Sequence, residues 1–567
     1  MSLSSNVPLR PGDLSRSSAT RAVVLAVAMI ACSSKAHEVR DAAGDPTPTD
    51  GAGGDPPPAD SAGVDAGAPA GKWTTGDLHV HTIESNDAQT PLGTVLDAAF
   101  ARNHLDWIAL SNHLRVSDRD DQGTAITDGP VPLSIGLARY EVPAIAALQH
   151  AGTYADKTIF SSVEWDMPTH EHFNVGIISD GSDGPAAGAA AKALSQFEYL
   201  FTNRDPSMFD AADVASWGPQ RYFTTHTDAV QAIAWLKEHY PDRSYGIVTH
   251  PSRTPGRYTI ANFRELNDLA PDIFFTLEGM VGNQMEPDRG GYASDYIEAN
   301  ALSRTYGGCD ATIAKLGGVW DALLGEGRRM WSVGDSDFHF KTAGGQFSSG
   351  YYPGEYTKNY VWVEGAGMPD IVRGLRSGKA FSVTGDLISA LEVAISSASA
   401  GAADIGGELR VAPGSKLTIT IRFKSEVPSN YETSVGGGNV PGALPVVDHV
   451  DLIAGDISAR AEPGTPAYTT ATNPSTHVVA RFSAADWSTD AKGYHVVTYP
   501  LTADKDQYFR LRGTNLGTDV PGETEGGEPL ADAKVEVVDN QARFDAINHR
   551  NYADLWFYSN PIFVKVH

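Results

Sequence analysis

At 567 residues the chain exceeds what one hydrophobic core organises, so two folded regions and some unstructured sequence are expected. Its 70 acidic and 43 basic residues leave a net charge of −27, which supplies no basic footprint for a phosphate backbone and argues against a nucleic-acid partner. The two cysteines, Cys32 and Cys309, allow neither a disulfide framework nor a cysteine-rich zinc site, so any metal must use nitrogen and oxygen ligands.

In chain order, Arg10, Arg16 and Arg21 precede an apolar run from Ala22 to Ala31 that is too short to span a bilayer and is flanked like a secretory signal. Residues 1–31 therefore read as a cleaved leader. Met29-Ile30-Ala31-Cys32 resembles the lipobox of bacterial lipoproteins, with Met29 where Leu is usual. Lipidation of Cys32 would hold the mature protein in the bacterial cell envelope, at the outer membrane or in the periplasm, by its anchor alone; an ordinary cleaved signal would leave it secreted. Residues 32–72 read as an acidic tether. From Asp41 to Lys72 there are six Asp, six Pro and seven Gly and no aromatic residue, too little apolar surface to offset ordering entropy.

From Trp73 onward, short apolar runs alternate with helix-length amphipathic stretches, the pattern of an α/β region over 73–385. The runs predict strands at Asp77–His81, Asp106–Ser111, Thr158–Val163, Tyr245–Thr249, Ile273–Leu277, Met330–Val333 and Tyr360–Val363. Helices are predicted at Pro91–Arg102, Thr227–His239, Tyr292–Leu302, Asp310–Leu324 and Pro369–Ser377. Residues 386–567 change to period-two runs separated by Gly/Pro turns, as in Leu417–Phe423, Val450–Ile453, His477–Phe482, Tyr494–Tyr499, Tyr508–Arg512 and Trp556–Val566, which suggest a β-sandwich.

The polar motifs are GDLHVHT (Gly76–Thr82), ALSNH (Ala109–His113), SVEWD (Ser162–Asp166), HEHFN (His170–Asn174), THPSR (Thr249–Arg253) and GDSDFH (Gly334–His339). Each sits at the end of an apolar run, where a barrel of parallel strands gathers its active site. His79 and His81 share one strand face and can reach one cation from a rigid element, and Asp337 and His339 repeat that spacing. Glu164 has two oxygens with which to bridge cations. A lone His-x-His is weak, and His250 before Pro251 could merely open a turn. The coincidence of His79, His81, His113, His172, His250 and His339, all at the ends of strand-like runs, points to metal.

In order and local sequence these motifs resemble the PHP (polymerase and histidinol phosphatase) superfamily, and particularly its bacterial branch of carbaryl-hydrolase-like enzymes with a C-terminal β-sandwich. The later segments GLRSGKAFSVTGD (Gly374–Asp386), VDLIAGD (Val450–Asp456), YFRLRG (Tyr508–Gly513) and YSNPIFV (Tyr558–Val564) are similar to that branch too. The resemblance implies a distorted (β/α)7 barrel in which His79, His81, Glu164 and Asp337 hold a first metal and Glu164 bridges to a second on His172 and His250. A third site would use His113 and His339 with a loop residue. The usual Ser-Asp-Gly of that loop is Ser85-Asn86-Asp87 here, and the usual Asp of the second motif is Asn112, so a third cation depends on Asp87. His170 reads as a supporting or substrate-facing group; His104, His226 and His239, which flank predicted helices, read as capping or solvated. His449, His477, His495, His549 and His567 read as structural.

Two divalent cations, three if Asp87 ligates, of Zn, Mn or Fe would activate water against a small-molecule ester. Glu164 and Asp337 would act at the reaction centre, while Arg115 and Arg253 are suited to grip a substrate anion. No Gly-x-Ser-x-Gly elbow or cysteine nucleophile context offers another route. The resemblance favours a phosphoesterase; a carboxyl-ester, carbamate or amide hydrolase on the same metals is the alternative, and a non-catalytic surface binding protein is a third reading. Tritiated palmitate fed to the producing bacterium is expected to label the wild-type chain and not Cys32→Ser; equal labelling of both would reject the lipid anchor.

Overall fold

The computed structural model describes residues 71–179, 190–282, 292, 304–341, 350–430, 440–533, 537 and 539–567. The leader, Cys32, the tether up to Ala70 and, Tyr292 aside, the candidate helix 292–302 lie outside the described residues.

Strands β1 (Lys72–Val80), β2 (Trp107–His113), β3 (Thr158–Trp165), β4 (Phe173–Ile177), β5 (Ser244–Val248), β6 (Phe274–Val281) and β7 (Trp331–Asp335) lie side by side in that order. All seven residues of β2 are buried, as expected of a strand covered on both faces. The pairs β1–β2, β2–β3, β5–β6 and β6–β7 are parallel. Strand β4 runs antiparallel to β3 and β5. Beyond β7 a single parallel bridge joins Val80 to Phe338, and the His81 N–H donates to the Phe338 carbonyl at 2.8 Å. The first part is thus a mixed α/β assembly on a parallel-rich sheet whose outer strands touch through one bridge, rather than a ladder continuous all the way round.

Gly76, which opens the first motif, pairs with Trp107 across β1 and β2, and a Cβ there would lie 2.1 Å from the indole. The bare backbone lets that ring lie across β1. Helices His226–His239 and Ile260–Leu269 each begin in a Thr-led capping box, at Thr225 and Thr259. The predicted helix 310–324 is two short helices, Ala311–Ala314 and Val319–Leu324, because Gly317 takes φ 69° between them. Helices Val142–His150, Ala191–Phe201, Ile260–Leu269 and Asn540–Ala553 have no counterpart among the predicted helices.

On the other edge of β1, β8 (Thr357–Val363) pairs antiparallel, and β9 (Ala380–Thr384) pairs with β8. The C-terminal part contributes β10 (Ala390–Ser397), β11 (Ser415–Lys424), β12 (His449–Asp456), β13 (His495–Ala503), β14 (Gln507–Thr514), β15 (Trp556–Ser559) and β16 (Ile562–Val566). Strands β10, β11 and β13 belong to a separate antiparallel sheet, and β11 alternates buried and exposed positions as its sequence pattern requires. Its Ile419, Ile421 and Phe423 share one apolar core with Leu452, Leu511, Phe557 and Ile562 of the other strands. Those other strands are not free of the first part: β15 pairs with β9, Phe381 opposite Ser559, so one sheet runs through both. Arg510 of β14 also donates to Asp321 through Nε and Nη2, at 2.9 and 2.8 Å, with both side chains buried.

Glu198, on the helix Ala191–Phe201, accepts from the Ser134 N–H at 2.9 Å in full burial. Burial pushes its carboxyl up to about 7, outweighing that hydrogen bond and Arg204 at 3.5 Å. The folded state keeps a proton that the unfolded chain releases near 4.5. Stability from this group is therefore complete below pH 4.5 and falls as pH rises through 7, by at most about 1.4 kcal/mol per pH unit. Denaturant unfolding at pH 5 and pH 8 is expected to show a smaller loss in Glu198→Gln than in wild type.

Candidate metal centre

The motif residues converge because each closes an apolar strand on the same side of the sheet. His79 lies on β1 and His81 just past it, with Val80 between them turned into the apolar cluster of Leu96 and Phe338. His113 ends β2, Glu164 lies one residue from the end of β3, and His250, Asp337 and His339 follow β5 and β7. His172 stands at the start of β4, but β4 is reversed, so its start lies at the same end of the sheet. His250 and Asp337 take φ values of 33° and 45°, a conformation that costs a side-chain-bearing residue about 1–3 kcal/mol and is retained where surrounding contacts enforce it.

Glu164 is the hub. Its Oε1 lies 2.7 Å from His172 Nδ1, 3.1 Å from His250 Nε2 and 3.3 Å from His79 Nε2. Its Oε2 lies 2.9 Å from His113 Nδ1 and 3.4 Å from His81 Nε2. Asp337 Oδ1 completes the group at 3.1 and 3.2 Å from the Nε2 atoms of His79 and His81. Asp87, across from it, is 3.0 Å from His113 Nε2 and 3.7 Å from His339 Nε2. Three overlapping sets have ligand atoms mutually within 4.8 Å: His79, His81 and Glu164; His113, Glu164 and His172; His81, Asp87, His113 and His339.

The donor set suits divalent cations. It consists of imidazole nitrogens and carboxylate oxygens, as the cysteine count demands. The Nε2 atoms of His79 and His81 are 3.1 Å apart, a spacing that needs a proton or a cation between two lone pairs. His113 Nδ1 and Glu164 Oε2 are both buried and lie 2.9 Å apart.

The electrostatics agree. Burial by itself would raise the Glu164 carboxyl, but His172, His113 and His79 carry it well below its ordinary range. Burial would likewise lower His79, and Asp337, Glu164 and Glu278 hold it well above instead. His172 is carried up to about 9, with Glu164 and Asp166 overcoming its burial. The field that holds protons on these imidazoles is one that attracts a cation. His339 goes the other way, down to about 4, through burial and its neighbour His81, on which it stacks at 3.9 Å.

The cluster opens into a cavity of 260 Å³ whose walls include Arg115, Arg253 and Phe340. Arg115 is clamped by Asp166 at 2.9 and 2.7 Å, and Arg253 by Glu171 at 2.8 Å. Asp166 also holds His172 Nε2 at 3.0 Å, turning Nδ1 toward Glu164. Asn112 does not join the cluster: it accepts from the Thr82 N–H at 2.7 Å and donates to Glu141 at 2.9 Å, and Asn86 is exposed. His170 is engaged elsewhere, 2.9 Å from His226 and stacked on Tyr258, and His226 reaches Glu265 at 2.9 Å.

Sequence reasoning missed Asp166, Glu171 and Glu278 as parts of the site. The first two lie inside motifs already singled out, and Glu278 is the first acidic residue after the apolar run Ile273–Leu277, which was a usable signal. A second acidic group, Glu523, Asp532 and Asp554, has ligand-like spacing, but Arg550 lies 2.8 Å from Glu523 and 3.2 Å from Asp532.

No family model matches the chain, and no curated protein does. Among solved structures, a two-domain protein from Bacteroides vulgatus containing a predicted PHP-like metal-dependent phosphoesterase is similar over 82% of this chain and 96% of that one, at 12% identity and a TM-score of 0.27. A likeness that low carries no weight for the chemistry, which rests on the cluster itself.

Glu164→Gln removes the negative charge on which five imidazoles converge. Elemental analysis of the purified variant is expected to show fewer divalent cations per chain than the wild type; unchanged metal content would reject Glu164 as a ligand.

Proposed function

We propose that this chain is a metal-dependent hydrolase and, within that class, a phosphoesterase. One observation carries the reading: buried imidazoles and carboxylates converge on Glu164 at the floor of a cavity whose walls carry two guanidinium groups, Arg115 and Arg253. His79, His81, Glu164 and Asp337 would hold one cation, and Glu164, His172 and His250 a second. His113, His339 and Asp87 are grouped so that Asp87 can take the place that Asn112 does not fill. Bound divalent cations would supply an acidified water as nucleophile and a Lewis acid for the developing oxyanion.

The protein's own part is positioning. Arg115 commits Nε and Nη2 to Asp166 and holds Nη1 3.7 Å from Asp87, and Arg253 commits Nη2 to Glu171, so both guanidinium groups are oriented at the cavity wall before substrate arrives. Two fixed guanidinium groups beside cations favour a substrate with two or more anionic oxygens. A phosphomonoester has them; a neutral carboxyl ester or carbamate does not. The Met29–Cys32 segment supports the further reading that the enzyme is carried on the cell envelope through Cys32.

Purified protein with its metal content measured should be assayed on p-nitrophenyl phosphate, bis-p-nitrophenyl phosphate and p-nitrophenyl acetate. The phosphomonoester is expected to turn over fastest, and the paired replacement of His79 and His81 is expected to abolish both metal and turnover. Arg115→Ala and Arg253→Ala are each expected to lower kcat/KM on the phosphomonoester by about ten- to a hundredfold while metal content stays constant. Turnover of the acetate alone would move the assignment to acyl transfer, and metal without turnover of any ester would favour the non-catalytic reading.

A further inference from the structure

Glu278 lies on β6, the strand between those that lead to His250 and Asp337, and is fully buried. Its two oxygens face two different parts of the cluster. Oε1 is 2.9 Å from His79 Nδ1, and Oε2 accepts the backbone N–H of His250 at 2.6 Å. We propose that Glu278 is the positioning residue that sets the metal-facing geometry of both His79 and His250 at once. This rests on the metal-centre reading of the same site.

A carboxylate can only accept. Opposite it His79 must carry a proton on Nδ1, which turns Nε2 toward His81, Asp337 and Glu164. The same group holds the His250 N–H in a turn at φ 33°, which the backbone does not favour by itself, and that turn aims His250 Nε2 at Glu164. One buried side chain thus couples a ligand on β1 to a ligand after β5.

Glutamine is nearly the same shape but offers one acceptor and one NH₂ donor. In Glu278→Gln one of the two donors must therefore meet an N–H. If the NH₂ faces His79, the imidazole must accept at Nδ1 and move its proton to Nε2, where it blocks the cation. If the NH₂ faces His250, the strained turn loses its acceptor. Aspartate keeps both acceptors but is one methylene short, so it can reach one donor only.

The test uses the full mature chain stripped of metal and titrated with cobalt(II) against a chelator, while the visible absorption of bound cobalt is recorded. Glu278→Gln is expected to bind cobalt about 10- to 100-fold more weakly than wild type, with shifted or weakened bands, and Glu278→Asp to fall between the two. A merely structural role would lower the unfolding midpoint and leave the affinity and band positions of the folded protein unchanged, which would overturn the inference. If Glu278→Gln does not fold, Glu278→Asp carries the decision by the same two readouts. Wild-type protein that takes up no cobalt would overturn the metal-centre reading and this inference with it; wild-type uptake matched by both variants would overturn the role of Glu278 alone.

Discussion

The structure turns on a buried carboxylate, Glu164, with five imidazoles within 3.4 Å of its two oxygens. An ionised carboxylate taken out of water costs several kcal/mol unless its charge is matched nearby. Here the match comes from histidines delivered by β1, β2, β4 and β5, so four strand termini must arrive at one point. The parallel-rich sheet meets that condition, and reversed β4 still does so by presenting its N-terminal end. The unfavourable φ values at His250 and Asp337 belong to the same demand, since both turns bend a strand exit back toward Glu164.

Two layers of acid surround the hub, and opposite forces govern them. In front, buried Asp337 and the partly exposed Asp87 and Asp166 touch imidazole or guanidinium groups, which hold all three well below the ordinary carboxylate range. Behind, Asp77 is pushed up to about 7 and Asp335 well above its ordinary value, because burial dominates there. These rear groups accept backbone N–H bonds: Asp335 from Leu78 at 2.8 Å, Asp77 from His79 at 3.1 Å and from Ser336 at 3.2 Å. They lock β1 to the exit of β7 behind His79, so the spacing of His79 and Asp337 is held by backbone as well as by side chains.

The C-terminal strands are tied to that frame. The sheet passes from β1 through β8 and β9 to β15, and the Ser332 N–H of β7 donates to Asn560 at 2.7 Å. With the buried Arg510–Asp321 pair, these contacts make the later strands part of the support on which the strands carrying the histidine cluster rest. Truncation near Asp386 would uncover the edge of β9 and strand Asp321 as a buried charge without its partner, an outcome set by desolvation rather than by lost apolar area.

Sequence alone placed the cluster's histidines, Glu164 and Asp337 at the ends of apolar runs and gave the alternation of β11, because a strand's period and the chemistry of the residues beside it are local properties. It also limited any metal to nitrogen and oxygen ligands. It left the loop ligand open, since a one-residue shift from Asn86 to Asp87 changes the available group, and only the fold could put Asp87 beside His113 while turning Asn112 to Thr82 and Glu141. The reversal of β4, the break at Gly317, the clamps of Asp166 and Glu171 on two arginines and the double contact of Glu278 were decided by tertiary structure. Each depends on groups far apart in the chain meeting at a few ångströms, and no local pattern of residues records that distance.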